Sequence, residues 1–166
     1  MLHIYRQILG LREWQPVVLC QKREEAGRFP FEPLVRLPRP ATRFLRRLVV
    51  KQMLNRPVQL YPGEARRIAA EVARFRGKVL HIYFGQVAVQ LLPVLRRPPV
   101  PVVVSFHGAD GQVDMEKPAY RTATREVLER ARLVLVRSRS LADRVQELGC
   151  PPEKIRLQRT GIPLEG

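Results

Sequence analysis

Long apolar runs are missing from this 166-residue sequence. No stretch reaches the roughly 18 residues that a bilayer-crossing helix needs, and Leu2 to Leu11 is too short and too polar for a secretion signal. A cytoplasmic protein is expected. Cysteine is scarce: Cys20 and Cys150 stand far apart, without a CxxC spacing or a neighbouring histidine, and read as plain thiols. His3, His81 and His107 are too scattered for a metal site, so neither metal nor cofactor is expected. Glycine-rich loops are missing too. There is no P-loop, no GxGxxG after a strand and no GxSxG elbow, which removes nucleotide hydrolysis, dinucleotide binding by its usual fingerprint and serine hydrolase chemistry. Aromatic residues make up only 7% of the chain, with a single Trp.

Acidic residues are few, 15 against 30 basic ones, for a net charge of +15. The basic residues are 25 Arg and 5 Lys. Such a surface attracts polyanions, nucleic acid or an anionic membrane face, with a strength that fades as salt rises. Genomic base composition and ordinary solvated helix faces also give this bias. A non-enzymatic α/β module engaging polyanions or a partner chain is therefore one reading. Nucleic acid is not the expected partner, because the few aromatics are not interleaved with Arg as a base-stacking surface requires.

What the chain does contain is a central strand. Val100 to Asp110, VPVVVSFHGAD, enters through Pro101 and runs through valines to His-Gly, the pattern of a strand buried on both faces of a parallel sheet. Ligands of open α/β sheets sit at the carboxyl ends of strands. Here that end carries the imidazole of His107, the unobstructed backbone of Gly108 and the carboxylate of Asp110. On these residues alone, a strand and turn with His107 as a hydrogen-bonded core residue is the favoured reading.

Around this strand the chain alternates helix and strand. Met1 to Trp14 has helical spacing, Val17 to Cys20 is a short strand, and Phe31 to Pro40 is a weak edge strand limited by its prolines. From Thr42 to about Leu54 the pattern is a basic amphipathic helix. Phe44, Leu45, Leu48, Val49 and Met53 form one face and Arg43, Arg46, Arg47 and Lys51 another. Such a helix either packs its apolar side on the core or lies on an anionic membrane. Gly63 to Arg76 is a helix with Gly77 as its left-handed cap, followed by strand Lys78 to Phe84 and helix Gln86 to Leu95. Beyond the polar loop Gly111 to Pro118, a helix around Tyr120 to Ala131 leads to strand Leu133 to Val136, which Ser138 ends. Ser140 with Asp143 then predicts a capping box for a helix closed by Gly149, and Ile155 to Leu157 is the last strand.

From Lys78 onward the order of anchors carries a resemblance. The segments VLHIYFG, PVVVSFHGAD, LVLVRSRSLADRVQELG and PPEKIRLQRTGI resemble the second half of the N-terminal domain of retaining GT-B glycosyltransferases of the family-4 type. IYRQILGLREWQPVVLC is similar to the first helix and second strand of the lipopolysaccharide and exopolysaccharide members. The resemblance implies a Rossmann-like open parallel sheet with helices on both faces, the N-terminal half of a GT-B fold, with its first strand and Gly-rich loop missing ahead of Met1. It implies one acceptor-side domain over residues 1–166, without the C-terminal donor domain and its Glu-x7-Glu motif. That domain would be met in cis or in trans, and no turnover is expected without it.

By the same resemblance the substrates are a nucleotide-sugar donor and a glycan or lipid-linked acceptor, in cell-surface polysaccharide or glycolipid synthesis. His107 would face the donor sugar as the catalytic residue. Gly108, Asp110, Ser138 and Gly161 would line the substrate cleft. Tyr83 stands where many relatives have a second histidine, and Gly161-Ile162-Pro163 replaces the usual Gly-Ile-Asp. A lipid-linked acceptor agrees with the helix of Arg43, Arg46, Arg47 and Lys51 resting on the inner face of an anionic membrane as a peripheral contact.

Overall fold

Short β-branched segments separated by helical ones can pair only in parallel, because each helix returns the chain to the end of the sheet where the previous strand began. The computed structural model describes residues 2–23, 25–108 and 115–159, apart from the side chain of Arg43. It divides into two compact units, residues 1–43 and 44–166.

In the first unit, helix α1 (Leu2–Leu9) precedes strands β1 (Val18–Cys20) and β2 (Leu34–Arg36), which pair in parallel with Val18 opposite Leu34. The helix stops well short of Trp14. Gly10 closes its last turn by donating to the Arg6 carbonyl at 3.0 Å, and glycine is a poor residue for continuing a helix. Tyr5 ties the unit together, its hydroxyl donating to the Pro30 carbonyl at 2.9 Å and its ring meeting Phe29 edge-on. No residue of α1 is fully buried.

The second unit holds every fully buried apolar residue among those described. It begins with α2 (Arg43–Arg47), which widens into a π-helical stretch over Leu48–Met53. Helix α3 (Pro62–Arg74) leads to β3 (Leu80–Tyr83), α4 (Gly85–Gln90), α5 (Leu92–Leu95), β4 (Val102–Phe106), α6 (Pro118–Arg130), β5 (Leu133–Val136), α7 (Arg139–Glu147) and β6 (Ile155–Leu157). The strands form one parallel sheet in the order β3-β4-β5-β6. This is the α/β architecture with parallel sheets flanked by helices that the sequence predicts.

Register decides which strand residues build the core. Ile82, Val102, Val104, Phe106, Val134 and Val136 share one face with the buried positions of α4 to α7, among them Ala88, Leu92, Val127, Leu128 and Val145. The opposite face carries His81 and Tyr83 on β3, Val103 and Ser105 on β4, and Leu133 and Leu135 on β5. Apart from Ser105 these are only partly buried.

Several local expectations are corrected. The left-handed residue after α3 is Arg76 (φ 51°), and Gly77 is needed for closeness instead, since a Cβ there would sit 3.1 Å from Val72 Cγ1. The single helix expected over Gln86 to Leu95 breaks at Leu91, where Pro93 forces a new first turn. Ser138, not Ser140, caps α7: its Oγ accepts from the Leu141 N–H at 3.2 Å. Gly149, with φ 98°, closes α7 as expected.

The largest departure is at α2 and the π-helical stretch. Their apolar side does not pack on the core: Phe44 is 79% exposed and Met53 74%, and Leu45, Leu48 and Leu54 are exposed as well. Arg46 explains the orientation. Its guanidinium lies 3.6 Å from the centroid of the Tyr61 ring and 3.8 Å from the Glu64 carboxylate, hooking the helix to the start of α3 by its basic side.

Candidate active site

The carboxyl ends of β3 and β4 lie side by side, and both strands leave the sheet through backbone that L-residues seldom adopt. After β3, Phe84 has φ 75° and ψ 129°; after β4 and His107, Gly108 has φ 101°. At Gly108 the glycine is required by conformation. Among the described residues, an added Cβ there would meet nothing within 4 Å. Gly85 is required by contact, because an added Cβ would lie 2.3 Å from Phe106 Cε1 in the fully buried Phe106 ring.

Between these ends stands a row of rings. His81 stacks on Tyr83 with centroids 4.2 Å apart, Tyr83 reaches His107 at 5.9 Å, and Phe84 meets His107 at 4.7 Å. Below them, His81 Nε2 and Ser105 Oγ share a hydrogen bond of 2.6 Å, the two residues lying diagonally across the β3–β4 ladder. Burial pushes His81 down to about 4, since a charged imidazole would lose its hydration there. It is neutral at physiological pH. Burial raises the Tyr83 phenol, an effect the positive charge of Arg137 opposes. Both ring nitrogens of His107 are out of contact with solvent.

The sequence-predicted residues fall as follows. His107 and Gly108 stand at the carboxyl end of the central strand pair. Ser138 is exposed at the end of β5, where its Oγ caps α7 and lies 3.0 Å from Ser140 Oγ. Asp110 and Gly161 lie outside the described residues, as does the Arg43 side chain. Arg47 is exposed, Lys51 is half-buried, and Arg46 is held against Tyr61 and Glu64.

Sequence reasoning missed the His81–Ser105 bond and the strained Phe84. A signal for the first was present: His81, Tyr83, Ser105 and His107 are polar or aromatic at every second position of otherwise aliphatic strands, which places them on one sheet face. Nothing in the sequence marks the backbone of Phe84, because phenylalanine is the wrong residue for its φ.

The family model for Glycosyltransferase Family 4 matches residues 3–165. The chain belongs to glycosyltransferase family 4. No curated protein matches it. Membership makes this a glycosyltransferase domain, whose substrates are a sugar donor and an acceptor. The strand ends described above are where an α/β domain of this family would be expected to meet a ligand. Among the described residues, no three His, Cys, Asp or Glu side chains converge as a metal site, and no helix is long and apolar enough to cross a membrane.

Proposed function

We propose that this domain forms the acceptor-side wall of a GT-B active site that transfers a sugar, with retention, from a nucleotide-sugar donor to a glycan or lipid-linked acceptor of cell-surface polysaccharide or glycolipid synthesis. In that reaction the bond from the anomeric carbon to the diphosphate breaks and one to the acceptor oxygen forms, while the acceptor proton is lost. The domain's part is to orient the sugar and to stabilise developing charge. The observation that supports this most is the His107-Gly108 pair at the carboxyl end of β4, where an imidazole adjoins backbone of positive φ that carries no Cβ. The donor-side domain would close the cleft in cis or in trans. Asp110 and Gly161 are assigned to the same cleft. Ser138, exposed at the end of β5, is assigned to the cleft as well.

The test is sugar transfer from a panel of nucleotide sugars with the donor-side domain present. His107→Ala is expected to lower turnover by about 100-fold, the scale on which a preorganised charge-stabilising donor acts, with an unchanged unfolding midpoint. Turnover equal to wild type would sink the assignment.

The same reading places the domain on the cytoplasmic face of a membrane as a peripheral protein. It is supported by the exposed apolar side chains of residues 44–54 and by the exposed Arg47 of the same segment, in a chain of net charge +15. A lipid-linked acceptor would be met there.

A further inference from the structure

Phe84 occupies backbone that glycine would adopt without strain and phenylalanine does not. Three features hold it there. Its N–H donates to the Ser105 carbonyl at 2.9 Å, and its own carbonyl accepts from the Val87 and Ala88 N–H groups at 3.1 Å, opening α4. Behind it, the close approach of Gly85 to Phe106 fixes where α4 begins. All three involve backbone or a neighbouring residue. A glycine at position 84 would keep every one of them.

The phenyl ring is engaged elsewhere. It meets the His107 imidazole with centroids 4.7 Å apart and planes inclined by 42°, while Tyr83 approaches the same imidazole at 5.9 Å. An imidazole that turns by half a revolution about its outer side-chain torsion exchanges Nδ1 with Cδ2 and Nε2 with Cε1, so that each nitrogen gives way to a carbon that neither donates nor accepts. A ring packed at this distance and tilt opposes that turn.

We propose that Phe84 is a positioning residue for His107: the strained corner after β3 sets the phenyl ring against the imidazole and fixes which edge of that ring, nitrogen or carbon, faces the ligand. This rests on the reading of His107 as the substrate-facing group. It explains why a residue disfavoured by its backbone stands where glycine would be comfortable. The backbone hydrogen bonds that hold the strained corner keep the ring in place.

Phe84→Gly tests this cleanly, because it removes the ring and relieves the backbone together. The unfolding midpoint should stay the same or rise. In imidazole-detected NMR of the chain, the His107 ring resonances should move and broaden, and Phe84→Tyr should restore them. With the donor-side domain present, Phe84→Gly should lower kcat about tenfold, with KM within about twofold, as expected when a reacting group loses its orientation. Phe84→Leu serves if the glycine variant does not fold. It keeps bulk and strain but not the ring, and should show the same NMR change. Unaltered His107 resonances in both variants would overturn the proposal. Full activity of Phe84→Gly beside an inactive His107→Ala would overturn the positioning role alone. Full activity of His107→Ala would instead overturn the reading on which it rests.

Discussion

The imidazole of His81 and the hydroxyl of Ser105 meet at 2.6 Å across two adjacent parallel strands. Either group can donate, and the arrangement in which Nε2 accepts from the hydroxyl exists only for a neutral ring. Burial holds His81 at about 4 in the folded chain, below the 6.5 of an exposed histidine. The unfolded chain therefore takes up a proton that the folded one refuses. Its contribution to stability is intact above pH 6.5 and is lost as pH falls through the window to about 4, by up to about 3 kcal/mol. Urea unfolding at pH 7.0 and 4.5 checks this. His81→Gln, which cannot titrate, should cost stability at pH 7 and lose less than wild type on acidification. Parallel pH profiles for the two proteins would refute the account.

Gly85 makes a second prediction. Gly85→Ala would place a methyl group inside the van der Waals envelope of a Phe106 ring that is wholly buried and has no room to retreat. The expected loss is about 3 kcal/mol. A partner substitution, Phe106→Leu, should recover part of it in the double variant, since the two sites touch. Gly63→Ala is the contrast. Its Cβ meets nothing within 4 Å at the start of α3, and alanine there should be neutral or stabilising by about 0.5 kcal/mol. Equal effects at both glycines would show that contact does not set the cost.

A third prediction concerns Glu126 on α6. Its two carboxylate oxygens accept from Arg96 Nε and Nη2, each at 2.8 Å, and Arg130 Nε adds a third bond at 2.8 Å. The Arg96 hydrogen bond is the main reason its carboxyl falls to about 2. This ion pair joins the end of α5 to α6. It stabilises above pH 4.5, where both folded and unfolded chains are ionised, and is lost as pH falls through about 2. Glu126→Gln should cost about 1 kcal/mol at pH 7 and low salt, the scale of a partly exposed pair, and less in high salt. The difference from wild type should close near pH 2.

Much of this fold was legible because burial on a parallel sheet leaves aliphatic runs. VVVSF and LVLV are strands wherever they sit in a chain, and Gly149 with Pro151 marks a helix end by steric rules alone. At the candidate site, the place of His107-Gly108 at the end of β4 was legible from the valine run before it, whereas the capping of α7 by Ser138 was not, Ser140 being the residue the sequence marked. Two details escaped although their causes are near in sequence: the break at Leu91 comes with Pro93, and the close approach at Gly77 is to Val72. The strained Phe84 depends on distant packing, through the Ser105 carbonyl and the Phe106 ring. The outward turn of Phe44 and Leu48 escaped for the same reason, since it follows from Arg46 finding Tyr61 and Glu64 fifteen and more residues away.

That outward turn yields the last prediction. If residues 44–54 seat on an anionic leaflet, removing exposed apolar groups should weaken binding with little effect on the fold. Phe44 buries little surface in the protein and Leu48 about half of its own, so Phe44→Ser should change stability by less than about 0.5 kcal/mol and Leu48→Ser by about 1 kcal/mol. Each should lower the affinity for vesicles rich in anionic lipid by about tenfold, the scale of withdrawing one such side chain from the membrane. Arg47→Ala should lower it about fivefold at low salt and hardly at all in high salt, because one exposed cation near an anionic surface contributes about 1 kcal/mol that salt screens. Arg46→Ala should behave in the opposite way. Its guanidinium is held by Tyr61 and Glu64, so its loss should lower stability and let the helix shift. Vesicle co-sedimentation beside thermal unfolding separates the two classes. If Phe44→Ser and Leu48→Ser bind as wild type does, the apolar face serves some other contact. If Phe44→Ser unfolds early, that face is covered in solution after all.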